Sequence, residues 1–314
     1  MAMAEAKPAL ATTVFSLGNF PFTSKKVETS NRGSPPKPVL IVTPTTSGQY
    51  PVILFLHGFF LRNGFYSQLL EHISSHGFIV VAPQLYEPNI LTVPSGPEEI
   101  ESAARVTDWL SNGLQPQLPE NVQANLLKLA LAGHSRGGQA AFALALGYAN
   151  TSLKFSVLLG IDPVAGNEFA KLEPYILTNV PRSFNISIPV TVIGTGLGPK
   201  KELLKPFPSA PEGFNHVQYF NECKPPCAHF VTKDYGHLDM LNDKLSDFAD
   251  LMRNLFCVNG EGPRDPMRKS VGGIVVAILK AYTLEGERGD LEAILGDPDL
   301  VPVKIEPLPE LIEA

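Results

Sequence analysis

Ser135 is the residue best placed in this 314-residue chain to do covalent chemistry. It lies in Gly133-His134-Ser135-Arg136-Gly137, a Gly-x-Ser-x-Gly pattern. A serine in that pattern becomes a nucleophile when a sharp strand-to-helix turn lifts its Oγ clear of the backbone. The flanking glycines leave room for such a turn, where a Cβ would crowd the neighbouring elements. A serine hydroxyl is a weak nucleophile until a base removes its proton, and the usual base is a histidine oriented by a carboxylate. The chain holds seven histidines. His134 adjoins the nucleophile, so its side chain is aimed away from Oγ. His57 stands beside the expected oxyanion loop, and His72 and His76 read as surface positions near a first helix. His229 falls within a strand, and His216 lies in a Pro-rich loop. His237, in Asp234-Tyr235-Gly236-His237-Leu238-Asp239, comes after the last expected strand and completes the chain order serine, acid, histidine. It is the candidate base.

The carboxylate is less obvious. In many hydrolases with this order the acid comes after a strand that here would run over 188–193. That strand leads into Gly194-Thr195-Gly196-Leu197-Gly198, with no carboxylate before Glu202. One strand earlier, Ile161-Asp162-Pro163 sets an aspartate at a strand end, so Asp162 is the candidate and Glu202 the fallback. Asp-Pro is also a common turn former. Asp234 and Asp239 sit too close to His237 in sequence to orient it and are expected to cap the following helix. A tetrahedral oxyanion needs backbone N–H donors. The candidates are the amide of Arg136, directly after the nucleophile, and that of Phe59, in the loop after the strand ending at Leu56.

These groups need a scaffold of alternating strands and helices. Strands are expected over 39–42, 50–56, 78–82, 127–132, 155–161, 188–193 and 228–232, the last being the final one, with an irregular edge region over 13–29. Helical periodicity runs over 66–76, and Ser95-Gly96-Pro97-Glu98 opens another helix with a capping serine, an early proline and a glutamate. A third begins after Ser135. Such alternation predicts an α/β fold with a mostly parallel central sheet and helices on both faces. Ligands in such sheets bind beyond the carboxyl ends of the strands, which brings Phe59, Ser135, Asp162 and the segment after Thr232 to one edge. Two segments lack regular structure, 83–97 and the Gly- and Pro-rich 194–226. The second carries Phe207, Phe214, Tyr219 and Phe220 and reads as a lid or substrate wall. The expected organisation is a flexible N-terminus (1–12), a single domain (13–298) with the lid-like loop at 194–226, and a C-terminal tail (299–314).

Composition narrows the function classes. At 44% hydrophobic and 18% charged residues, there is ample core and no overall disorder. A net charge of -6 with no long basic run argues against a nucleic-acid surface. The apolar run at 271–279 is too short to span a membrane, and flanked by Arg268-Lys269 and Lys280 it reads as a buried helix. The N-terminus shows no secretory core and little room for a transit peptide. An intracellular compartment is expected, chloroplast and cytosol both open. Cys223, Cys227 and Cys257 are too few for a disulfide framework. Cys223 and Cys227 form at most half a metal site with no second half, so no metal is expected, and a local bridge between them stays open.

Taken together, Gly-His-Ser-Arg-Gly-Gly at 133–138, Gly160-Ile161-Asp162-Pro163-Val164 and Asp234-Tyr235-Gly236-His237-Leu238-Asp239-Met240 resemble plant chlorophyllases. Ser75-His76-Gly77-Phe78, Ala82-Pro83-Gln84-Leu85-Tyr86 and Gly194-Thr195-Gly196-Leu197-Gly198 add to the likeness, which runs from about 14 to about 282. The resemblance implies an α/β-hydrolase fold and hydrolysis of the phytyl ester of chlorophyll to chlorophyllide and phytol, with no metal or organic cofactor. The family's serine, aspartate and histidine match Ser135, Asp162 and His237. Phe60, Leu61, Phe65 and Tyr66, after Phe59, either line an apolar cleft for that substrate or pack the loop against the first helix. Peripheral membrane contact is the expected route to such a substrate. The short N-terminus departs from members that resemble plastid-targeted precursors. Two other classes fit the residues: an esterase or lipase acting on another lipid ester, and a non-enzymatic binder of an apolar ligand. The second would be marked by a missing catalytic residue, and none is missing.

Overall fold

The computed structural model describes residues 11–30, 33–89, 93–203, 205–246, 250 and 254–313. Its centre is a nine-stranded sheet: β1 (Phe22–Val27), β2 (Val39–Pro44), β3 (Gly48–Leu56), β4 (Ile79–Pro83), β5 (Val122–His134), β6 (Val157–Ile161), β7 (Val190–Thr195), β8 (Cys227–Thr232) and β9 (Glu310–Ile312). The spatial order is β1-β2-β4-β3-β5-β6-β7-β8-β9. From β4 through β8 all neighbours are parallel, while β1, β2 and β9 attach antiparallel. The parallel strands are apolar runs because both their faces are covered. Helices α1 (Ser67–Ser74), α5 (Arg264–Thr283) and α6 (Gly289–Gly296) pack one face through Leu69, Ile73, Ile274, Ile278 and Leu291. Helices α2 (Gly96–Trp109), α3 (Arg136–Ala145) and α4 (His216–Glu222) pack the other through Ile100, Ala103, Ala140, Tyr219 and Phe220. The expected helix start at Ser95 is a capping box: Ser95 Oγ accepts from Glu98 N–H, and Glu98 Oε2 accepts from Ser95 N–H at 2.9 Å. The apolar run at 271–279 lies within buried α5, and no helix among the described residues is long and apolar enough to cross a membrane.

Four expectations need correction. The sheet does not end at β8. Val301, Val303 and Ile305 are buried, Glu306 N–H donates to Val231 O at 3.0 Å, and β9 pairs with β8. The described part of the expected 299–314 tail, 299–313, is therefore an edge of the fold. Its period-two alternation was the available signal, broken up by Pro302 and Pro307. The 194–226 stretch is not one structureless loop: β7 runs to Thr195, and α4 opens at Asn215, whose side chain accepts from Val217 N–H. His72 is buried, its Nε2 bonded to Val14 O at 2.7 Å, because the chain before β1 packs over α1. Asp239 does not cap a helix; its Oδ2 accepts from Gly236 and Gly260 N–H, both at 2.7 Å, and so ties down the loop holding His237. Of the expected flexible N-terminus, residues 1–10 lie outside the described residues.

Candidate active site

Strand register explains why distant residues meet. Leu56 pairs with Gly133 and His134 with Ile161, so β3, β5 and β6 end side by side. Just beyond them sit the loop with Phe59, the serine and the aspartate. Ser135 holds φ 57°, outside the usual range for a side chain-bearing residue. Neighbouring groups hold that conformation in place: Ser135 N–H donates to Ile161 O at 3.0 Å. Only glycine fits at 137, where a Cβ would lie 2.4 Å from the carbonyl oxygens of Leu56 and His57.

The structure brings the three sequence candidates into one chain of hydrogen bonds. Ser135 Oγ lies 2.7 Å from His237 Nε2, and His237 Nδ1 lies 2.7 Å from Asp162 Oδ2. All three residues are buried. Burial works against charge on Asp162, but the bonds from His237 and Thr195 outweigh it and hold the carboxyl below its usual range. Thr195 was not recognised from sequence. Its Oγ1 donates to Asp162 Oδ2 at 2.6 Å and its amide to Oδ1 at 3.2 Å. It sits at the end of β7, the position where a carboxylate was sought and not found. A hydroxyl there steadies the aspartate supplied by β6.

The histidine next to Ser135 has a different set of partners. His134 Nε2 donates to His237 O at 2.9 Å, which leaves Nδ1 to accept from Tyr66 Oη at 2.7 Å. Tyr66 Oη in turn accepts from Gly58 N–H at 3.0 Å. Burial, reinforced by the nearby His237 ring, lowers His134 to about 3, so it stays neutral and keeps one donor and one acceptor. The buried relay Gly58–Tyr66–His134–His237 thus couples the candidate oxyanion loop to the loop carrying the candidate base. Tyr66→Phe leaves Gly58 N–H and His134 Nδ1 unpaired. We expect a loss of about 1–3 kcal/mol of stability, read by urea unfolding, together with a fall in kcat larger than any change in KM. A variant with parental stability and kcat would show the relay to be idle.

Tyr66 is therefore not a cleft residue; of the two readings left open by the sequence, packing against the first helix is the one that fits it. Its ring is part of the core, as is Leu61, and Phe65 packs against the same cluster. Leu61, Phe65 and Tyr66 pack the loop against the α1 side of the core. Phe59, 45% exposed, and the partly exposed Phe60 form a ring pair 4.7 Å apart and remain available at the surface. Gly58 N–H is taken by Tyr66, so the next amide toward the serine is that of Phe59. Arg136 is the first residue of α3, where amides have no carbonyl partner in their own helix.

The Arg136 side chain also has a place. Its Nε donates to Glu99 Oε2 at 2.5 Å and its Nη2 to Pro94 O at 2.6 Å. Its guanidinium lies 5.8 Å from the Phe59 ring centroid and 5.6 Å from that of Tyr86. It bridges the two candidate oxyanion segments and the start of α2. Burial raises Glu99 to about 7 despite this partner. His57 is buried and lowered to about 4, mainly by burial. Its Nε2 accepts from Leu85 N–H at 3.0 Å, which fixes the next loop. His216 and His229 pair with each other at 2.9 Å and do not reach Ser135. Among the described residues Cys223, Cys227 and Cys257 form no disulfide, so the local bridge between Cys223 and Cys227 is absent.

A family model described as Chlorophyllase matches residues 10–311. The chain is 49% identical to Chlorophyllase-1 of Arabidopsis thaliana, over 100% of this chain and 98% of that protein. It is 48% identical to Chlorophyllase-1, chloroplastic, of Citrus unshiu, over 100% of this chain and 94% of the relative. With Chlorophyllase-2 of Arabidopsis thaliana the identity is 49%, over 90% of this chain and 89% of that protein.

Proposed function

The chain belongs to the chlorophyllase family, with its α/β-hydrolase fold, and we propose that it cleaves the phytyl ester of chlorophyll with Ser135, His237 and Asp162 as its catalytic set. The observation that carries this reading is the unbroken hydrogen-bond chain from Ser135 Oγ through His237 to Asp162, both links 2.7 Å. Ser135 Oγ attacks the ester carbonyl carbon as its proton passes to His237 Nε2. The carbonyl π pair moves onto oxygen, where the amides of Phe59 and Arg136 donate to it. Collapse of the tetrahedral species breaks the bond to the phytyl oxygen, which leaves as phytol with the proton from His237. Water then attacks the acyl-enzyme with His237 again as base. Chlorophyllide departs and Ser135 Oγ regains its proton. Asp162 keeps the imidazole in the required tautomer and stabilises its charged form. No step calls on a metal or an organic cofactor.

Phe59 and Phe60, exposed and partly exposed in the candidate oxyanion loop, are proposed to meet the substrate. The whole chain through β9 is proposed to work as one catalytic unit. The substrate is a small molecule bearing a lipid tail, and we propose that the protein meets it at a membrane surface, within an intracellular compartment. Turnover in ¹⁸O-labelled water tests the acyl-oxygen cleavage that this route requires. The label is expected in the new carboxylate of chlorophyllide and absent from phytol. Label in phytol would mean cleavage on the alkyl side and would rule the mechanism out.

A further inference from the structure

Beyond β7 the chain makes a loop with a closed neck. Ala210 N–H donates to Gly198 O at 2.9 Å, and Ser209 Oγ donates to the same oxygen. The neck stands against the catalytic centre: a Cβ on Gly198 would lie 3.0 Å from Asp162 Oδ2. The residues between carry Leu203, 96% exposed, and Phe207, 72% exposed, beside the exposed Lys200 and Lys201. Single exposed apolar residues are ordinary on protein surfaces. Two large ones on one narrow-necked loop are less so, and the charge around them is distinctive. Glu202 is engaged by Lys205 at 3.2 Å, and among the described residues no carboxylate pairs with Lys200 or Lys201, on a chain whose net charge is -6. The adjacent loop, after β6, presents Phe169, 82% exposed, close in sequence to Lys171. Since β6 and β7 are parallel neighbours, both loops leave the sheet edge on which Ser135 sits.

We propose that the described residues of this loop, 198–203 and 205–210, dock the protein on an anionic lipid surface, with Leu203 and Phe207 entering the interface and Lys200 and Lys201 binding acidic headgroups. An apolar tip alone would suit any bilayer. A basic tip on an acidic body selects an anionic one and orients the molecule, because headgroup charge attracts the tip and repels the rest. The neck beside Asp162 then opens the site toward the lipid. The proposal rests on the reading of the substrate as a phytyl ester, which is supplied from such a surface.

The test uses the purified full chain with vesicles of phosphatidylcholine alone or mixed with phosphatidylglycerol, flotation as the readout, and a water-soluble short-chain ester as the activity control. Wild type is expected to bind the mixed vesicles at least about tenfold better than the neutral ones, with the preference weakening in high salt. The Lys200→Glu, Lys201→Glu double variant and the Leu203→Ser, Phe207→Ser double variant should each lower vesicle binding by about tenfold and slow cleavage of vesicle-borne chlorophyll. Soluble-ester turnover should stay within about twofold, since these side chains lie outside the catalytic set. Parental vesicle binding by both variants overturns the proposal. So does a wild type that ignores vesicles, which would give the tip to a protein partner. Chlorophyll left intact in detergent, where docking plays no part, overturns the phytyl-ester reading instead.

Discussion

Ser135→Ala is expected to lower ester turnover by roughly 10⁵-fold or more while leaving the fold intact. The hydroxyl is the atom proposed to form the covalent bond. His134, the adjacent candidate, is committed to His237 O and Tyr66. Alanine keeps the Cβ, so the packing that holds the turn at φ 57° is retained. The hydroxyl contributes one bond, to His237 Nε2, and its loss should change unfolding free energy by about 1 kcal/mol or less. Kinetics on a soluble ester, paired with urea unfolding, separates the two effects. Turnover within tenfold of the parent would move the nucleophile elsewhere.

The second large effect is expected for Asp162→Asn, on the order of 10⁴-fold in kcat with KM little changed. The carboxylate accepts from His237 Nδ1 and from the Thr195 hydroxyl. An amide in its place can turn a donor toward Nδ1, which shifts the imidazole proton to Nε2. The imidazole then has no lone pair for the serine proton. Stability adds an independent readout. The folded carboxyl titrates below its ordinary value of 3.8, so on acidification the unfolded chain takes up this proton first. The stability it contributes is complete above about pH 3.8 and is lost as pH falls through the folded value. Asp162→Asn should remove that part of the acid sensitivity. A mild kinetic effect would return attention to Glu202, which pairs with Lys205 beyond the neck of its loop.

The features legible in the sequence were local ones. Gly133 to Gly138 encodes a turn between a strand and a helix in consecutive residues, and Asp234 to Met240 does the same for the histidine loop. Both could be found without knowing what packs on them. Asp162 needed an argument from absence, since the usual strand end carries Thr195. The reason emerges only in three dimensions, where β6 and β7 lie side by side and the threonine bonds across to the aspartate. The Gly58–Tyr66–His134–His237 relay was invisible for the same cause. Its members are far apart in sequence, and a tyrosine after a run of phenylalanines looks like one more apolar residue until its hydroxyl is placed. His72 misled because a short amphipathic helix does not reveal that the N-terminal segment covers it. β9 was missed because prolines interrupt a short alternation. Apolar runs of strand length carried the parallel core well, since a strand buried on both faces has little choice of residue type. Substrate identity came from whole-chain likeness to chlorophyllases and not from any single side chain.

The most direct measurement is chromatographic analysis of purified protein incubated with chlorophyll in detergent, with Ser135→Ala beside it. The account predicts chlorophyllide and phytol in equal amounts from the parent and neither from the variant. Equal chlorophyllide from both proteins, or short-chain ester turnover by a parent that leaves chlorophyll intact, would contradict it.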